Sequence, residues 1–170
     1  RFSDGRGAAR GAFECVPSAV PGMLDVYGPN PLWFGYRGDG PVLLRSFHVG
    51  DAFFASNFPQ AKRTAFLDWA QAQGYNTLSV ASHYLNRDAP GRGCGWDTPA
   101  LWPLNPAAYR ELEAYLDDLA ARGMLVFPFA GFFGRDSGYP KSAADQALYV
   151  PYCLARLAAY WHILLNVAGT

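Results

Sequence analysis

At 170 residues and 51% hydrophobic content, the chain is long enough to bury a sizeable core and short enough for one domain. Its 14 basic and 14 acidic residues cancel, which argues against nucleic acid or an anionic membrane as a partner. No apolar run approaches the roughly 18 residues of a membrane span. Cys15, Cys94 and Cys153 form no CxxC or Cys/His zinc pattern, and their spacing leaves open one disulfide plus a free thiol.

In chain order, Arg1–Arg10 is rich in Gly, Arg and Ala and reads as flexible. Gly11–Pro17 and Met23–Tyr27 read as strands, with Pro21-Gly22 marking the turn between them. Leu32–Tyr36, Arg37–Gly40 and Pro41–Leu44 read as strand, turn and strand, and Gly38-Asp39-Gly40 is a strong hairpin signal. Val42–Val49 reads as the first long buried strand, and Phe53–Pro59 as a loop. A helix is expected over Gln60–Gln73, begun by Pro59, ended by Gly74, with Ala61, Ala65, Trp69 and Ala72 at helical spacing.

Asn76–Ser82 reads as a second strand and leads into a loop, His83–Leu104, rich in Gly, Pro, Asp and Trp. A loop this long inside a compact domain is usually functional. Asn105-Pro106 opens a second helix that buries Tyr109, Leu112, Leu116 and Leu119 and ends at Arg122-Gly123. A third strand, Met124–Phe129, precedes the Gly131–Tyr139 loop. A third helix spans Ser142 to Trp161, kinked or split by Pro151. Ile163–Val167 reads as a fourth strand.

Strands alternating with helices imply parallel βα units. No glycine-rich phosphate turn follows the first strand, and Gly91–Gly95 lies deep in a loop, which disfavours a nucleotide-binding doubly wound sheet. The expected fold is α/β: a partial (β/α)8 TIM barrel of about four strands and three helices, preceded by a short β-hairpin segment. Residues 1–40 are expected to form the N-terminal β segment, and residues 41–170 the first half of the barrel. Eight strands need at least about 200 residues.

Barrel chemistry collects at the C-terminal ends of the strands. The side chains expected there to hold a ligand are His48 and Asp51, then His83, Tyr84, Trp96 and Asp97, then Phe132 and Phe133, then Asn166. Imidazole and carboxylate groups grip hydroxyls, while ring faces cover C–H patches, as a sugar requires. Each residue also has an ordinary reading. Asp51, after Gly50, serves equally as a turn residue, His48 and His83 as rim histidines, and Asp97 as a loop-turn residue. No Gly-x-Ser-x-Gly elbow is present, and Cys94 has no obvious base.

Pro31–Asp51, Phe66–Val80, Glu111–Gly134 and Tyr152–Gly169 resemble, in order, the first half of an apiosidase-like glycoside hydrolase barrel. Gly11–Gly22 is similar to the tail of the β-sandwich domain that often precedes such barrels. The resemblance implies two carboxylates as acid/base and nucleophile. It matches Asn166 to the asparagine that holds a sugar hydroxyl beside the acid/base glutamate. That glutamate is expected just beyond Thr170, and no catalytic residue is assigned within the chain.

The expectation is therefore a fragment of a secreted or periplasmic glycoside hydrolase acting on side chains of plant or microbial polysaccharides. Its partner would be an oligo- or polysaccharide, with no cofactor, no metal and no nucleic acid or membrane, and with the remaining barrel units lying C-terminal. Arg1 in place of Met is read as a start inside a longer protein. Two other classes stay open: a non-catalytic carbohydrate-binding or structural module, and a metal-dependent hydrolase using His48, Asp51 and His83.

Overall fold

The computed structural model describes residues 2–3, 8–9, 11–12, 14–17, 19–37, 39–49, 53, 58–80, 104, 106–128 and 139–165. They form a mixed α/β molecule with three sheets and three helices.

Near the N-terminus, β1 (Phe2–Ser3) pairs antiparallel with β2 (Ala8–Ala9), inside a segment expected to be flexible. The described part of the strand expected over Gly11–Pro17 is not a strand. Those residues are exposed, and Pro17 cannot donate to a ladder. Three short strands follow as an antiparallel meander: β3 (Leu24–Val26), β4 (Phe34–Tyr36) and β5 (Pro41–Val42). Tyr36 meets Trp161 edge-on, with ring centroids 6.0 Å apart, so the meander lies beside the N-terminal end of the parallel sheet.

The strand expected over Val42–Val49 is divided. Pro41–Val42 belongs to the meander, and β6 (Ser46–His48) opens the parallel sheet. The break comes from Asn76, whose Oδ1 accepts from the Arg45 amide (2.8 Å) and whose Nδ2 donates to the Leu43 carbonyl (2.9 Å). One side chain thus takes the backbone groups that a ladder would otherwise use.

α1 (Gln60–Ala72) begins after Pro59, which has no N–H to leave unpaired. It ends at Gly74, where φ is +76° and an added Cβ would lie 2.8 Å from the Arg45 guanidinium. The expected face of Ala61, Ala65, Trp69 and Ala72 is turned to solvent. Arg63, Leu67 and Ala70 are buried instead. Arg63 can be buried because its Nε donates to the Phe53 carbonyl at 2.7 Å and its guanidinium lies over Phe53, Phe58 and Tyr115.

β7 (Thr77–Val80) pairs parallel with both β6 and β8 (Leu125–Pro128), giving the order β6-β7-β8. Between β7 and β8 runs α2 (Pro106–Ala121), with Tyr109, Leu112, Leu116 and Leu119 at most 1% exposed, on the face its spacing selects. α3 (Ala143–Leu157) is capped by Ser142, whose side chain accepts from the Asp145 amide. It runs through Pro151 without dividing and stops at Leu157, short of the expected Trp161. Tyr149, Cys153 and Leu157 lock it to the core, and Arg156 forks onto Glu113 of α2. Burial and this ion pair hold the turns on either side of the proline. In the fourth strand region, Ile163 makes a single parallel bridge to Val126. Asn166 and Val167 lie outside the described residues.

Candidate functional site at the strand ends

The parallel register sets Ser46, Phe47 and His48 beside Thr77, Leu78 and Ser79, and these beside Leu125, Val126 and Phe127. Side chains alternate between the two faces of a strand. Phe47 meets Phe66 of α1 and Tyr75 at 5.0 Å each, so its face looks to the helices. Leu78 and Val126 are fully buried in the same helix-facing core. His48, Ser79 and Phe127 therefore share the opposite face, in one row near the C-terminal ends of the strands.

On that face His48 Nδ1 and Ser79 Oγ are 3.1 Å apart. His48 is exposed, and Ser79 and Phe127 are half-buried. An imidazole, a hydroxyl and an aromatic ring are thus fixed side by side on rigid strands. The first two exchange hydrogen bonds with hydroxyl groups, and the ring covers apolar C–H surface. The row can bind a polyhydroxylated ligand, but it holds no carboxylate.

Described acids whose ion-pair partners are resolved lie elsewhere. Asp25 pairs with Arg37 on the meander, Asp68 and Asp118 with Arg122, and Glu113 with Arg156 on the helical layer. Arg37 and the neighbouring Val26 amide hold the Asp25 carboxyl below its usual range, the amide more strongly. No group of three His, Cys, Asp or Glu gathers among the described residues. No helix among them is long and apolar enough to cross a membrane.

Of the expected site residues, His48 is the one whose position the structure describes. Asp51, His83, Tyr84, Trp96, Asp97, Phe132, Phe133 and Asn166 lie outside the described residues. Ser79 and Phe127 join His48 without having been singled out in the sequence. The available signal was polar Thr77 and Ser79 alternating with apolar Leu78 and Val80, which sets Ser79 on the face opposite the apolar one.

No protein-family model matches the chain, and no curated protein matches it. Among solved structures it is similar to a glycoside hydrolase family 5 protein from Bacteroides vulgatus, with a TM-score of 0.57 at 12% identity. The match covers 88% of this chain and 33% of that one, so the chain spans about a third of its neighbour's length. That neighbour is a TIM barrel, and the likeness shows the fold: parallel βα units of the barrel type.

Proposed function

We propose that this chain supplies the first βα units of a TIM-barrel glycoside hydrolase and that the His48–Ser79–Phe127 row is part of its sugar-binding surface. Within that class the reading is an apiosidase-like enzyme, exported from the cell, acting on side chains of plant or microbial polysaccharides. The pairing of His48 Nδ1 with Ser79 Oγ at 3.1 Å, at the strand ends of a barrel-type sheet, carries the reading. Asp51, His83, Tyr84, Trp96, Asp97, Phe132, Phe133 and Asn166 are proposed to extend the same bowl. The acid and nucleophile, which retention requires about 5–5.5 Å apart, are assigned to further βα units.

The test is calorimetric titration of the full-length gene product with a panel of plant oligosaccharides. His48→Ala and Ser79→Ala should each weaken binding about fivefold to tenfold, the worth of a neutral hydrogen bond. Unchanged affinity in both variants would overturn the assignment. Sugar release by these 170 residues alone would overturn the placement of both carboxylates in other units.

A further inference from the structure

On the helical layer, residues of α1 and α2 line a cleft of about 570 Å³, within the size range of small-ligand pockets. Phe58 and Tyr115 give it apolar walls, and Gln60, Thr64, Glu111 and Asp118 give it hydrogen-bonding groups. Tyr115, Glu111 and Asp118 are held in place before any ligand arrives. The Tyr115 hydroxyl donates to Glu111 at 3.0 Å, and Arg63 stacks 4.7 Å from the Tyr115 ring centroid. Arg63 is itself tied to the Phe53 carbonyl, and Asp118 accepts from Arg122 Nε at 3.1 Å.

Charge selects the ligand. Glu111 and Asp118 face Arg63, and Arg122, which grips Asp118 from outside the lining, is shared with Asp68, so no spare positive charge favours an anion and the carboxylates are left chiefly as hydrogen-bond acceptors. What remains is an amide, a hydroxyl and carboxylate oxygens between aromatic walls. Each of these polar groups pairs with a hydroxyl, and the walls suit the C–H faces of a ring.

We propose that the α1–α2 cleft is a second carbohydrate-binding site, taking one or two neutral sugar residues. It is separate from the strand ends, because Phe47 and its α1 neighbours face away from the His48 row. Such a site would hold a polymer on the enzyme while the strand-end bowl engages a side chain.

Amide-resolved NMR titration with xylotriose and cellotriose reads both sites at once. Thr64 and Ala114 report the cleft, and Ser79 reports the strand ends. A saturable shift at Thr64 and Ala114 is expected, with a dissociation constant on the order of 1 mM. The exposed double substitution Gln60→Ala/Thr64→Ala should weaken it about tenfold while the rest of the spectrum stays native. Shifts confined to Ser79 would overturn the cleft site and leave the strand-end reading standing. Shifts confined to the cleft would do the reverse. Tighter binding of inorganic phosphate or tetramethylammonium than of either sugar would assign the cleft to an ion and overturn the proposal.

Discussion

The Arg63 guanidinium lies 4.7 Å from the centre of the Tyr115 ring, so a charged residue of α1 forms the joint with α2. Only 7% of Arg63 is exposed, and its Nε donates to the Phe53 carbonyl. Arg63→Met keeps the aliphatic stem but removes the stacked cation and leaves that carbonyl without its donor. The expected loss is about 2–3 kcal/mol, read from urea denaturation.

Asn76 joins three backbone or side-chain groups: the Arg45 amide, the Leu43 carbonyl and the Thr77 hydroxyl. Asn76→Ala should cost about 1–2 kcal/mol and speed hydrogen exchange at the Arg45 amide. Asn76→Asp should cost more, because a carboxylate cannot donate to the Leu43 carbonyl and instead sets a negative charge against it. Equal stability of the two variants would contradict the bridging role.

Pro151 sits inside α3 with its surface exposed. A proline there removes an i→i−4 bond and crowds the preceding turn. Pro151→Ala restores an N–H that can reach the Ala147 carbonyl. The variant should be more stable by about 1–3 kcal/mol, with the gain visible as a higher melting temperature.

His162 is fully buried, and neither ring nitrogen has a hydrogen-bond partner among the described residues. Burial lowers its pKa from the usual 6.5, and the nearby Asp117 charge only partly offsets this. The folded state therefore keeps the ring neutral, while the unfolded chain takes up a proton below about pH 6.5. Stability should be full above that value and fall as the pH drops through it towards the depressed folded pKa. The slope is at most about 1.4 kcal/mol per pH unit. His162→Phe should remove this component, so the gap between variant and parent changes between pH 7 and pH 5. A constant gap across that range would rule the effect out.

The buried face of α2 was legible because Tyr109, Leu112, Leu116 and Leu119 combine helical spacing with apolar side chains. The face of α1 was not. Its alanines and Trp69 look like core in the sequence, yet Trp69 is 50% exposed and Arg63 is buried. Nothing in a hydrophobic pattern separates a solvated arginine from one stacked on three rings. The division of the expected first strand was hidden for a similar reason: the group that breaks it, Asn76, lies 31 positions beyond Arg45. At the strand ends, the position of His48 at the end of the first parallel strand could be read from the sequence. Its pairing with Ser79 could not, since it depends on the parallel register of two strands.

From Gln60 onward the sequence by itself determined the kind of elements and their order, because turn residues, caps and apolar spacing act over a few positions. It therefore carried the alternation of strand and helix and, through it, the parallel βα units. Tertiary structure decided which face of α1 is buried, where the first strand breaks and which residue stands beside His48. Each of these is set by a partner distant in the chain, and only folding brings the two within bonding range.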